Sequence, residues 1–282
     1  MAPVLVSGHW LESKLESVRV FDASSHLPTV KRDAAAEFLN AHIPGAQRFD
    51  IDAIADKSHP MPHMVPSPAF FAESLRALGV NDNDHVVVYD DSDIKTAARA
   101  WWMMRLFGHA RVSILDGGLA AWKAAGGKLE SGAPSHVPPG NFTARPSVDV
   151  GVVDIETLAG AVGGGTAGQI ADARAAARFA GEAPEPRPGL RAGHIPGSQS
   201  LPFNKLLKKD GTMLDAAAIR TVFKDAGIDP DAPVTATCGS GVTACVLAAG
   251  LVLAGNSQVT VYDGSWTEWG SSDEPIETGP AR

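Results

Sequence analysis

The chain predicts an α/β protein of two domains, each a parallel sheet with helices on both faces. Three observations carry this. Strand-like apolar runs alternate with helix-like segments along the length, as in sheets whose crossovers are helices. The runs at 86–89 and 112–115 are almost wholly apolar, as strands covered on both faces must be. And the chain repeats itself. Phe21-Asp22-Ala23-Ser24 recurs as Ala171-Asp172-Ala173-Arg174, and Ala41-His42-Ile43-Pro44-Gly45-Ala46 as Gly193-His194-Ile195-Pro196-Gly197-Ser198. Leu115-Asp116-Gly117-Gly118 before Trp122 recurs as Tyr262-Asp263-Gly264-Ser265 before Trp269. The offsets by subtraction (194 − 42, 172 − 22, 263 − 116) are 152, 150 and 147 residues. Three motifs in one order at nearly the same spacing mean duplication, and the period is too long for a solenoid.

The elements follow in order. In the first half, 18–21 is a short apolar strand. A helix opens at Ser67-Pro68, with serine as N-cap and proline at the first helical position, and runs to 78 with Gly79 past its end. Residues 86–89 form the next strand, 96–107 a helix and 112–115 a strand. In the second half, 169–171 is a strand and 215–226 a helix stopped by Gly227. Residues 234–237 form a strand, 242–254 a helix and 259–262 a strand. Gly, Pro, Ser and His crowd 126–149, which reads as a linker between a first domain at 1–125 and a second at 150–282.

At 282 residues, 44% hydrophobic and 20% charged, the chain has room for two cores and the composition of a soluble globular protein. Its net charge of -8 argues against nucleic acid or an anionic membrane as partner, and leaves a small anionic substrate open. The start of the chain lacks the basic and apolar regions of a secretory signal. The longest nearly apolar run, 244–254, is too short to span a bilayer. Two cysteines, Cys238 and Cys245, cannot make a disulfide framework. A reducing, cytoplasmic location is therefore expected.

Cys238-Gly239-Ser240-Gly241-Val242-Thr243 joins the 234–237 strand to the helix after it. Ligands of open α/β sheets bind at the carboxyl ends of central strands. The glycines let the backbone turn sharply, so that several N–H groups and a helix N-terminus can stabilise an anionic sulfur at Cys238. That suits a cysteine nucleophile. The first half has Asp90 at the corresponding place, so only the second half can do thiol chemistry. Cys245, inside the following helix, reads as core. A cysteine phosphatase would need an arginine six positions after the nucleophile to clamp phosphate, and that position is Ala244.

With these residues the chain resembles the tandem rhodanese sulfurtransferases over nearly its whole length. The resemblance is strongest to the branch that uses 3-mercaptopyruvate. It implies two rhodanese-like domains, the first without the nucleophile. Thiosulfate-using relatives carry basic residues after the cysteine, where this chain has neutral Gly239 and Ser240. Through the resemblance, Asp172-Ala173-Arg174, Arg178-Phe179 and Pro184-Glu185-Pro186-Arg187 supply two substrate-binding arginines, Arg178 and Arg187. Planar guanidinium groups suit a 2-oxo carboxylate. Gly239, Gly241, Val242 and Thr243 line the substrate from the loop. Phe49-Asp50-Ile51-Asp52 and Pro62-His63-Met64-Val65-Pro66 resemble a segment of the family, and the resemblance implies a proton relay of Asp52, His63 and Ser240 serving Cys238. No metal and no organic cofactor are expected. The implied activity moves sulfur from the small-molecule donor 3-mercaptopyruvate through a Cys238 persulfide to cyanide, a small thiol or a thioredoxin-type acceptor. Thiosulfate:cyanide sulfur transfer and a non-enzymatic persulfide carrier stand as alternatives.

His42 and His194 occur in both halves, including the one without the cysteine, so their expected role is structural, as is that of Asp116 and Asp263. Trp101, Trp102, Trp266 and Trp269 read as packing residues.

Overall fold

The computed structural model describes residues 2–147 and 149–280. Met1, Val148, Ala281 and Arg282, at the domain ends and in the linker expected from the sequence, lie outside the described residues. The chain forms two compact units. The first holds Met1–Asp56, Val65–Ser147 and Lys209–Met213, and the second holds Lys57–Met64, Val148–Lys208 and Leu214–Arg282.

In the first unit the strands are β1 (Leu5–Val6), β2 (Arg19–Asp22), β3 (Gln47–Arg48), β4 (Val86–Tyr89) and β5 (Val112–Leu115). Its helices are α1 (Gly8–Lys14), α2 (Ala34–Asn40), α3 (Pro68–Ala77), α4 (Ala97–Leu106) and α5 (Gly118–Ala124). The strands pair in the order β1-β5-β4-β2-β3, every pair parallel. β4 and β5 are buried at every residue, as the apolar runs require. The period of two then sorts their side chains. Val20, Val87 and Tyr89 pack with Leu11, Phe38, Leu119 and Trp122 from α1, α2 and α5. Phe21, on the opposite face, meets Phe49, which in turn meets Phe71 of α3.

The second unit repeats this. Its strands are β6 (Val150–Val153), β7 (Gln169–Asp172), β8 (Gln199–Ser200), β9 (Val234–Thr237) and β10 (Val259–Tyr262). Its helices are α6 (Ile155–Gly163), α7 (Ala176–Phe179), α8 (Ala216–Asp225), α9 (Ala244–Leu253) and α10 (Ser265–Trp269). The order is β6-β10-β9-β7-β8, again all parallel. Leu158 of α6 and Trp266 and Trp269 of α10 pack with Ile170, Ile195 and Tyr262. α9 lies against β9 and β10 and touches α8.

Helix ends follow their sequence signals. The Ser67 hydroxyl accepts the Phe70 N–H, and Gly79 turns out of α3 with φ 77°. Asp215 caps α8 through the Ala218 N–H, and Gly227 follows with φ 76°. α9 starts at Ala244, two residues later than expected, because the loop after Cys238 extends through Thr243.

The described part of the stretch expected as a linker packs on the first unit. Glu130 pairs its backbone with His42 and accepts from the His42 ring at 3.1 Å, and Phe142 is buried. Glu277 pairs its backbone with His194 in the second unit, with its carboxylate 3.7 Å from the ring. Both histidines are buried and stack on a phenylalanine, His42 on Phe38 and His194 on Phe179, with Nδ1 on that phenylalanine's carbonyl oxygen. Asp116 accepts the Met213 N–H at 2.8 Å, holding segment 209–213 on the first unit. Among the described residues no helix is long and apolar enough to cross a membrane.

Candidate active site

β9 runs in the middle of the second sheet, between β10 and β7, and Cys238 is the first residue past its carboxyl end. The residue is 2% exposed. Its loop is held from α10. The Cys238 carbonyl accepts the Trp266 N–H at 3.0 Å. The Gly239 carbonyl accepts the Thr267 N–H at 2.8 Å and the Thr267 hydroxyl at 2.6 Å. The Ser265 hydroxyl accepts the N–H groups of both Cys238 and Gly241, each at 3.1 Å. It donates its single hydrogen to the Tyr262 carbonyl at 2.8 Å, which leaves its 4.0 Å approach to the Cys238 sulfur a contact rather than a donated bond.

The two glycines of the loop act differently. Gly241 has φ 73°, a conformation costly for any residue with a Cβ. Gly239 leaves room for Arg178, since a Cβ there would lie 3.2 Å from its Nη2, a tight contact. Cys245, fully buried in the first turn of α9, donates its thiol hydrogen to the Gly241 carbonyl at 3.1 Å and so packs beneath the loop. Ser240 is 9% exposed, Val242 is buried and Thr243 is half-buried.

Arg178 reaches the loop by way of a buried ion-pair chain. β7 pairs with β9 so that Asp172 stands beside Thr237, and the segment after β7 leaves next to Cys238. Both Asp172 oxygens accept from Arg174, at 2.6 to 3.1 Å. Arg174 also donates to Glu185 at 2.9 Å and to the Gly193 carbonyl at 2.9 Å, and its guanidinium lies 4.3 Å from the Trp266 ring centre. Burial opposes the Arg174 charge, but Asp172 and Glu185 outweigh it and hold the group above its ordinary range. The other Glu185 oxygen takes Arg178, through Nε at 3.1 Å and through Nη2. Glu185 thus couples a buried arginine to one that is 23% exposed over Gly239. Arg187 lies further along the same loop, half-buried.

The remaining sequence candidates divide between the units. His63 belongs to segment Lys57–Met64 of the second unit, with a left-handed φ of 63°. Asp52 belongs to the first unit, exposed, with its N–H donated to Asp50 Oδ1 at 2.8 Å. It lines an open cavity of about 380 Å³ with His26, Arg32 and Arg48.

The first unit carries the counterpart loop without a thiol. Asp90 follows β4 and is buried, with Oδ2 accepting the Ala97 N–H at 2.7 Å and Oδ1 the Ser92 N–H at 3.2 Å. Its carbonyl accepts the Leu119 N–H at 3.0 Å, as that of Cys238 accepts Trp266. Burial raises the Asp90 carboxyl above the usual range despite these donors. At the Ser265 position this unit has Gly118, where a Cβ would come within 2.2 Å of the Asp90 carbonyl oxygen. Sequence reasoning missed Ser265, Thr267, Arg174 and Glu185 as supports of the site. For Ser265 a signal existed: the two repeats differ there, as they do at Asp90 and Cys238.

Comparison with known proteins agrees with this architecture. The family model for the rhodanese-like domain matches residues 7–125 and 155–272. A 3-mercaptopyruvate sulfurtransferase from Mus musculus is 44% identical over 282 residues, covering 96% of this chain and 93% of that protein. One from Escherichia coli (strain K12) is 42% identical, covering 96% of this chain and 97% of the other. The crystal structure of the Tum1 protein from Saccharomyces cerevisiae superposes with a TM-score of 0.89 at 33% identity, covering 99% of both chains. The two repeats are two rhodanese-like domains, and the chain belongs to the rhodanese family.

Proposed function

We propose that the chain is a sulfurtransferase that takes sulfur from 3-mercaptopyruvate onto Cys238 and passes it to a thiol, thioredoxin-type or cyanide acceptor. The observation that carries this reading is the placement of Arg178 over Gly239, beside the Cys238 loop, with Glu185 and Arg174 fixing its orientation. A guanidinium there suits a mercapto-acid whose carboxylate lies a few bonds from its sulfur. Arg187 is the second arginine of the pair.

In the first half-reaction the Cys238 thiolate attacks the donor sulfur. An S–S bond forms, the donor C–S bond breaks, and its electron pair leaves as the pyruvate enolate. The donor's thiol proton ends on that carbon, so the products are pyruvate and a Cys238 persulfide anion. Ser240 and His63 are the groups that move this proton. For Asp52 the role of carboxylate in that relay rests on the family resemblance alone. The amides at 239, 240, 242 and 243 stabilise the persulfide, since Ser265 takes those of Cys238 and Gly241. In the second half-reaction a thiol or cyanide takes the outer sulfur and the thiolate returns, a ping-pong cycle. Such a thiol needs a reducing compartment, the cytoplasm in this reading.

Steady-state turnover of 3-mercaptopyruvate with a dithiol, beside thiosulfate with cyanide, tests the donor. The reading expects kcat/KM at least about tenfold higher for mercaptopyruvate, from uncompensated charge on a thiosulfate dianion at a neutral loop. Preference for thiosulfate overturns it.

A further inference from the structure

Segment Lys57–Met64 comes from the first repeat in sequence but belongs to the second unit, the one that holds Cys238. It carries His63, one of three described non-glycine residues with positive φ. A backbone in that region persists only where its surroundings hold it. One hold on this segment comes from His59. Its Nδ1 accepts the Met61 N–H at 3.2 Å, so the neutral ring carries its proton on Nε2. That nitrogen faces Oε1 of Glu268 at 3.8 Å, with its N–H turned toward the carboxylate.

Glu268 is itself fixed. Its Oε2 accepts the Tyr262 hydroxyl at 2.9 Å, and the carboxylate fits only because residue 264 is glycine: a Cβ there would lie 1.9 Å from Oε2. Glu268 sits on α10, directly after Trp266 and Thr267, whose N–H groups hold the carbonyls of Cys238 and Gly239. One five-residue helix therefore grips the cysteine loop at its start and the His63 segment at its centre.

We propose that His59 and Glu268 are positioning residues, latching the His63 segment to the helix that also fixes the Cys238 loop. This rests on the reading above, in which Cys238 is the nucleophile and His63 moves the proton. Neither latch residue touches the substrate. Their contribution enters through kcat, because the histidine and the sulfur must share one frame when the enolate is protonated.

The test is a double-mutant cycle on the full chain with His59→Ala, Glu268→Gln and the pair, using 3-mercaptopyruvate and a dithiol. Glutamine still offers an oxygen to Tyr262, and His59 is one-third exposed, so both variants keep the fold; urea midpoints check this. Each single variant is expected to lose roughly tenfold in kcat, with KM and the rate of Cys238 alkylation by iodoacetamide within about twofold of wild type. The double variant is expected to be no slower than either single, and His59→Gln, which again offers an N–H toward Glu268 and an acceptor oxygen toward Met61, is expected to recover most of the loss. Singles with wild-type kcat, or losses that multiply in the double, overturn the latch. Two controls separate that from failure of the parent reading. Turnover that survives complete Cys238 alkylation removes the nucleophile, and wild-type kcat in His63→Ala removes the proton role. If both controls abolish or slow turnover while His59→Ala does not, the latch alone is wrong.

Discussion

The Ser265 hydroxyl stands 3.1 Å from the backbone nitrogens of both Cys238 and Gly241 and 4.0 Å from the Cys238 sulfur. The first domain has Gly118 at this place, under a loop closed by Asp90. Ser265 also has φ 50°, a conformation its glycine counterpart adopts without penalty. The second domain thus accepts strain at the one position that ties the nucleophile's own amide. Removing the hydroxyl takes this shared acceptor from two backbone N–H groups, and a buried hydrogen bond lost in this way costs about 1–3 kcal/mol. Ser265→Ala is expected to lower the urea midpoint and to cut kcat/KM about tenfold or more. Ser265→Gly is expected to be as impaired in turnover but about 1 kcal/mol more stable than the alanine variant, since it relieves the left-handed backbone. Equal stability of the two contradicts this account of the strain.

Glu185 binds Arg174 through one oxygen and Arg178 through the other, and is itself 3% exposed at the side chain. Glu185→Gln leaves Arg174 with Asp172 as its carboxylate partner and lets Arg178 swing away from Gly239. Truncating one member of a buried ionic network typically costs about 3 kcal/mol. The expected result is a stability loss of that order in urea together with a KM for mercaptopyruvate raised about tenfold or more. A stability loss with unchanged KM would show that Arg178 is held by something other than Glu185.

Arg187→Ala removes, in the proposed function, a contact made equally in ground and transition states. KM is expected to rise at least about tenfold with kcat within twofold. A fall in kcat at constant KM assigns Arg187 to the transition state instead.

The buried Asp90 carboxyl has a raised pKa in the folded chain, with burial as the chief cause. In the unfolded chain it ionises near the ordinary aspartate value. Below that value both states are protonated and no penalty applies. As pH rises from there to the folded value, the unfolded state loses its proton first, so stability falls, and above the folded value the penalty is complete. Asp90→Asn removes this titration. The stability difference, wild type minus variant, is therefore expected to decline as pH rises through that window, by urea unfolding at a series of pH values. A difference that is flat or rises with pH contradicts a carboxyl buried at this cost.

The pattern of the sequence carried the repeat, the central strands and the cysteine loop, because each rests on local chemistry: apolar runs at 86–89 and 112–115, Ser67-Pro68 as a helix start, two glycines after Cys238. What it hid depends on partners distant in sequence. Glu185 was visible only as part of a proline-rich motif, and its two arginines are joined in three dimensions. The strands β1, β3 and β8 are two residues long, below the length at which alternation can be read. Segment 57–64 reads as a loop of the first half, and nothing local marks it as part of the second unit. The 126–147 stretch looks like slack chain by composition, yet Glu130 and Phe142 fasten it, because a loop rich in Gly and Pro can still supply one ionic and one aromatic anchor.

Sulfur transfer through Cys238 is the centre of the account, and a single-turnover experiment reads it directly. The protein is mixed with limiting 3-mercaptopyruvate and no acceptor, pyruvate is quantified, and the peptide that carries Cys238 is weighed by mass spectrometry under non-reducing conditions. The account predicts one pyruvate released and one sulfur added to Cys238 for each 3-mercaptopyruvate supplied; a brief chase with cyanide then removes the sulfur as thiocyanate, and Cys238→Ser yields neither pyruvate nor label. Pyruvate release by Cys238→Ser, or turnover with sulfur never found on Cys238, would contradict it.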